Sequence, residues 1–271
     1  MSRQKVFFIL LLILFYNCQS FAGWVITQKS FDSDQREETV IIETVFLQDN
    51  RMKIIKNDMI TIFNLNDETI TLMNPEKMVY WKGTISDYKT DIKKAMQSAM
   101  EEQLKKAPER QKQMIRNMYQ GMIESIDDPS KFAGEEPDEY QLEIEKTDEK
   151  ERFAGYQAIK YQIKVNKQLK EEAWLSESNR AHKEFDTHKF YSIFGNFISQ
   201  GGTGAYYQND EEYIEFAKLG FPLKSISYHG GYESISQVTN LERKILDKSD
   251  FTPPADYKKV QLTDVGIEEQ E

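Results

Sequence analysis

From Trp24 to Trp81 the chain is a series of short runs rich in β-branched and aromatic residues, divided by breaks that leave room only for hairpins. Trp24-Val25-Ile26-Thr27 opens the series, and residues 39–47 (TVIIETVFL), 51–56, 59–65, 69–73 and 77–81 follow at even spacing. The breaks are Asp49-Asn50, Asn57-Asp58, Asn66-Asp67 and Asn74-Pro75-Glu76, residue types that tolerate the backbone of tight turns. A parallel pair needs a crossover of about a dozen residues or more. The spacing therefore predicts an antiparallel up-and-down meander of about six strands.

The apolar period then lengthens. Ile92, Met96, Met100 and Leu104 lie four apart, as do Met114, Met118 and Met122, with Ile115, Ile123 and Ile126 widening the second stripe. This predicts two amphipathic helices, residues 87–106 and 108–126, with Pro108 in a first turn and Asp127-Asp128-Pro129 as a stop. The acidic stretch 129–139 reads as a surface loop. Strands resume at 140–145, 156–166 and 172–177. A third helix at about 183–199 carries Phe190, Tyr191, Phe194, Phe197 and Ile198, and a short fourth one spans 210–219, with Asn209 as its cap and Gly220 after it. Residues 222–229 and 232–246 pair across Gly230-Gly231, and 261–271 form a polar, acidic tail. The whole is a single α+β domain over residues 23–260, its sheet covered by helices, with 87–128 as a helical insertion.

The first residues have a different character. Arg3 and Lys5 precede an uninterrupted apolar run, residues 6–16 (VFFILLLILFY), and Ser20-Phe21-Ala22 supplies small residues where a signal peptidase reads them. This is the layout of an export signal with cleavage between Ala22 and Gly23, and the run is short for a membrane span. The expected location is the periplasm or the cell exterior. The alternative is a membrane-tethered lipoprotein through Cys18, although Phe15-Tyr16-Asn17 departs from the usual residues before a lipidated cysteine. Cleavage removes the one cysteine, and with it any intramolecular disulfide or thiolate site. It also removes two positive charges from a chain of net charge −10. That balance argues against nucleic acid, whose binding needs a dense basic footprint, and against electrostatic docking on anionic lipid.

Catalytic signatures are missing. There is no Gly-x-Ser-x-Gly, no His-Glu-x-x-His and no P-loop. Gly201-Gly202-Thr203-Gly204 follows a helix, so it lacks the helix N-terminus that would bind phosphate. His182 and His188, flanked by Glu184 and Asp186, are six apart, which on a helix turns their rings to different faces. His229 sits at a hairpin corner. No cofactor, no metal and no enzyme activity are expected.

What remains is apolar surface. Every methionine after Met1 lies before residue 123, and Phe190, Phe194 and Phe197 form an aromatic stripe. Unbranched, polarizable Met side chains suit ligands of ill-defined shape. The functional reading makes the meander an open half-barrel whose concave face holds an acyl chain, with Met52, Ile54 and Met73 on the strands. Met96, Met100, Met118 and Met122 would form a lid, and Phe190, Phe194 and Phe197 a matching stripe. The competing reading is ordinary core packing.

Several segments resemble an exported bacterial family, domain of unknown function family 4412. They are Arg51-Met52-Lys53-Ile54, 59–65 (MITIFNL), 73–81 (MNPEKMVYW), Gly155-Tyr156, 160–165 (KYQIKV), 171–176 (EEAWLS), 220–225 (GFPLKS) and 251–260 (FTPPADYKKV). That family is similar in architecture to the LolA/LolB-type lipoprotein carriers, antiparallel half-barrels with helices across the open side. The resemblance implies binding of a hydrophobic small molecule or acyl chain in the cavity, without catalysis. The expected role is thus non-catalytic binding or carriage of a lipid-like ligand in the cell envelope. The alternatives are an envelope protein-interaction module whose barrel is filled by its own helices and, weakest, a hydrolase or metal enzyme.

Overall fold

The computed structural model describes residues 22–33, 40–127, 140–200, 206–229 and 231–266. The expected signal segment and the glycine loop at 201–204 lie outside them, apart from Ala22, the first residue of β1. Six strands come first: β1 (Ala22–Asp32), β2 (Ile41–Gln48), β3 (Arg51–Lys56), β4 (Met59–Asn64), β5 (Thr69–Asn74) and β6 (Val79–Thr84). Each pairs antiparallel with the next. Asp49, Asn50, Asn57 and Asp58 all have positive φ, so the two-residue breaks are turns that match the right-handed twist of the strands. Asn64 and Asn74 accept from the backbone N–H groups of Asp67 and Lys77 to shape the next two turns.

A second meander consists of β7 (Leu142–Phe153), β8 (Tyr156–Val165), β9 (Gln168–Ser176), β10 (Phe221–His229) and β11 (Tyr232–Ile245). β11 pairs with β1, so the two meanders form one sheet in the order β12-β6-β5-β4-β3-β2-β1-β11-β10-β9-β8-β7. Among the described residues only β12 (Lys258–Lys259) is parallel to its neighbour, β6; a two-residue Lys-Lys strand suits a sheet edge. The other edge, β7, runs to Phe153, eight residues past the expected end. Its second half (KTDEKERF) is too charged to read as a strand but is suited to an edge. The tight turn at Ala154-Gly155, both with positive φ, returns the chain to β8.

The sheet has two different faces. Trp24, Ile26, Val45, Leu47, Phe63, Leu65, Ile70, Leu72 and Trp81 are buried together on one. Val25, Ile62, Met73, Leu246 and Phe251 cluster on the other. Alternation along the strands produces this division, because successive side chains point to opposite faces.

Among the described residues there are also five α-helices. α1 (Ile85–Lys106) begins with a capping box in which Thr84 and Asp87 satisfy each other's backbone N–H. It joins the core through Ile85, Tyr88 and Ile92, and the Trp81 Nε1–H donates to Asp91 at 3.0 Å. α2 (Glu109–Asp127) folds back on α1, with Lys93 and Asp127 bridged at 2.5 Å. α3 (Thr187–Gln200) lies on the Trp24–Trp81 face and places Phe190 and Phe194 against Phe63, each with ring centroids 5.2 Å from it. α4 (Glu211–Ala217) is capped by Asp210, not by Asn209 as expected: the Asp210 side chain accepts from the Glu212 N–H at 2.8 Å. α5 (Leu262–Val265) buries Leu262 and Val265 in the main core, so packed structure extends past residue 260 into the segment read as tail. Among the described residues no helix is long and apolar enough to cross a membrane. The fold is α+β, an open antiparallel half-barrel with helices on its concave face.

Candidate functional site

Curvature makes the site. β3 and β10 are separated by β2, β1 and β11, so a flat sheet would hold them about 19 Å apart at about 4.8 Å per strand. Met52 of β3 and Phe221 of β10 nevertheless line the same two cavities. The sheet therefore bends into a trough on the face that carries Trp24 and Ile26. One cavity, about 270 Å³, lies over the strands, with Val45, Met52, Ile54, Leu223 and Val238 among its walls. Its polar floor includes Gln28, Glu43, Ser225 and Ser236. The other, about 200 Å³, lies under α3 and α4 and shares Met52, Phe221 and Pro222 with the first.

The hairpin turn of β2 and β3 anchors the helix that roofs the second cavity. The Asn50 N–H donates to the Glu184 carbonyl, and the Asn50 side chain accepts from the Asp186 N–H, both at 2.8 Å. Asp186 caps α3 by accepting from the Lys189 N–H. These bonds set Phe190 and Tyr191 over the trough, with Phe185 5.1 Å from Phe190, ring to ring.

The second cavity is apolar except at one end. Glu171 of β9 is 5 % exposed and points into it. Tyr213 of α4 donates to Glu171, 3.0 Å from one carboxylate oxygen and 3.3 Å from the other. Burial pushes the Glu171 carboxyl up to about 7, although hydrogen bonds from Tyr213 and Gln208 oppose the shift. Burial, with Glu171 nearby, raises Tyr191 to about 12 and Tyr213 well above the usual phenol range. His182 also lines this cavity. Burial lowers its pKa, with Lys183 adding to the effect and the Asn179 backbone acting against it, and its buried Nδ1 has no hydrogen-bond partner. In the first cavity burial raises the Glu43 carboxyl, while Lys56 and a 2.6 Å bond from Gln28 act against that shift. Neither cavity is lined by a lysine or an arginine.

The next residue on β9 faces the other way. Glu172 meets Lys160 at 2.7 Å, accepts from Gln162 and Tyr228, and sits where Lys160 and Lys224 lie over the Trp174 ring. His188 is exposed, the His229 side chain lies outside the described residues, and among the described residues no three His, Cys, Asp or Glu side chains are grouped to hold a metal.

The sequence-based candidates divide. Met52 and Ile54 line the trough, and Phe190 lines its roofed end. Phe194 is fully buried beside them as core. Met73 is on the opposite face, packed with Val25 and Ile62, because its place in β5 is one residue out of phase with Leu72. Met96, Met100 and Met122 are half-buried and line neither cavity, and Met118 is 50 % exposed. α1 and α2 pack chiefly on each other, and their stripe leaves Met114 and Met118 exposed. The Phe197 side chain lies outside the described residues. Neither Glu171 nor Tyr213 stands out as a site residue in the sequence, and His182 is weighed there only as a partner of His188. The available signal was a carboxylate in phase with Ala173 and Leu175 on an otherwise apolar strand face.

The structure is an open half-barrel with an apolar trough. The chain belongs to the family described as Domain of unknown function (DUF4412), whose model matches residues 84–257, well over half its length. The match begins at the cap of α1 and takes in both Met-rich helices, β7 to β11 and the second cavity's carboxylate. No curated protein matches the chain in sequence. Among solved structures it is similar to PNGF-II in a C2 crystal form, with 11% identity and a TM-score of 0.36 over 90% of this chain and 32% of that one. It is also similar to the Pseudomonas aeruginosa MucA/MucB complex, with 12% identity and a TM-score of 0.37 over 88% of this chain and 58% of that one. The corresponding values for MucB alone are 11%, 0.37, 91% and 62%. The chain thus spans about a third of PNGF-II and about three fifths of MucB. Scores of this size carry nothing about ligand or reaction.

Proposed function

We propose that the protein binds or carries a hydrophobic, lipid-like ligand in the trough, without catalysis, in the cell envelope. The observation that carries this reading is the pair of adjoining, mainly apolar cavities on the concave face, which share Met52, Phe221 and Pro222. Ligand sites are usually concave, mainly apolar and supplied with a few polar groups, at volumes of about 300–1,000 Å³. Each cavity falls below that range, and the pair that adjoin at Met52 offers an elongated space suited to a chain. Met52, Ile54 and Phe190 would contact that chain. Export rests on the basic start, apolar run and Ser20-Phe21-Ala22 of the sequence.

Native mass spectrometry of protein extracted from its own envelope tests the reading. A co-purified acyl species supports it, and the same spectrum should place the mature N-terminus at Gly23. Ligand-free protein that also fails to take up decanol would instead favour a self-filled interaction module. The burial of Phe190 and Phe194 within the trough is the observation on that side.

A further inference from the structure

The composition of the trough goes further than its apolarity. Two carboxylates, Glu171 and Glu43, line it, and no lysine or arginine does. An anionic head group, such as a fatty-acid carboxylate, would meet like charge in a poorly solvated space, with nothing to neutralise it. A cation would meet its complement. The roofed cavity adds two further features. A carboxylate offers about four acceptor positions, and the Tyr213 hydroxyl and Gln208 leave Glu171 acceptor capacity to spare. The His182 ring holds Nδ1 buried without a hydrogen-bond partner, a nitrogen that accepts when it carries no proton. Around these acceptors stand the Phe185, Phe190, Tyr191 and Phe216 rings, whose π faces attract cations.

Resting on the trough reading above, we propose that the roofed cavity receives the primary ammonium head of an amphiphile. Its N–H groups would donate to Glu171 and His182, and its hydrocarbon chain would run past Met52 and Phe221 into the adjoining cavity. A primary ammonium brings three donors, whereas a quaternary one brings charge alone, so the orphan acceptor on His182 selects the former. The upward push on the Glu171 carboxyl fits this assignment, because a bound cation would offset the burial that causes it.

The test is calorimetric titration of the full mature chain, near neutral pH, with four probes of equal chain length: decylammonium, decyltrimethylammonium, decanoate and decanol. Decylammonium should bind at least about tenfold more tightly than each of the others. In Glu171→Gln that preference should fall to within about threefold. Should the variant not fold, the wild-type comparison decides alone. Equal binding of all four probes, or a preference that survives in folded Glu171→Gln, overturns the ammonium assignment and leaves the trough standing. Binding of none overturns both. Lysophosphatidylethanolamine, added as a further arm, separates the sources of the amine. Uptake of it points to a lipid head group, and uptake of decylammonium alone to a free alkylamine.

Discussion

The Tyr213 hydroxyl stands 3.0 Å from Glu171 Oε2, at the polar end of a cavity that β9 and α4 close between them. Tyr213 donates this bond to a carboxyl whose pKa burial raises to about 7. The titratable groups around it are Tyr213, Tyr191, Tyr207 and His182.

Stability should therefore depend on pH in a defined direction. The Glu171 carboxyl ionises at about 7 in the fold and near 4.5 in the unfolded chain, so the native state holds the extra proton between those values. This contribution is full below pH about 4.5, declines as pH rises, and is gone above about 7. Glu171→Gln removes the cost of ionisation. The variant should be more stable than wild type at pH 8 by about 1–3 kcal/mol, and the difference should shrink at pH 5. Urea melts at the two pH values measure it; a variant less stable at pH 8 would contradict the account.

The adjacent residue should behave oppositely. Glu172 has Lys160 at 2.7 Å, with both side chains about nine-tenths covered. Glu172→Gln leaves that ammonium only the exposed Glu149, 3.4 Å away, as counter-charge, at a cost of about 1–3 kcal/mol. Two neighbouring carboxylates with effects of opposite sign at pH 8 would be read from the same melts.

Phe194 has no exposed surface and packs on Phe63 and Phe190. Phe194→Ala should cost about 3–5 kcal/mol. A loss below about 1 kcal/mol in chemical denaturation would mean that α3 is not docked on the sheet as described.

Met118 is half exposed and lines neither cavity, so Met118→Asp should change stability by no more than about 0.5 kcal/mol and leave decanol binding intact. Loss of decanol binding in this variant would show that Met118 contributes to the ligand site.

Thr84→Ala breaks the capping box that starts α1. The expected cost is about 1 kcal/mol, concentrated in α1 and α2. Hydrogen exchange should show faster exchange in those helices, with β1 to β5 unchanged; uniform acceleration across the sheet would show that the helix pair and the half-barrel unfold as one unit.

The N-terminal meander was legible because its information is local. Asp49-Asn50 and Asn57-Asp58 permit one kind of turn, and that turn fixes which strands are neighbours and that they run antiparallel. The helices followed from apolar period, and the hairpin of β10 and β11 from its glycine break. The assignment of faces did not follow. Met73 and Leu72 are both apolar neighbours on β5, and only the core on each side of the sheet decides that Leu72 lies on the trough face while Met73 lies on the other. The second half of β7 hid behind its charges, since an edge strand needs no apolar pattern on its outer face. The joining of β1 to β11, which creates the trough, brings together residues more than two hundred apart in sequence, and no local spacing encodes that pairing. The site depends on it most of all. Glu171 is one of many acidic residues until β9, α3 and α4 remove it from water, and that exclusion of water, a property of the packed whole, is what turns an ordinary carboxylate into the polar end of a cavity.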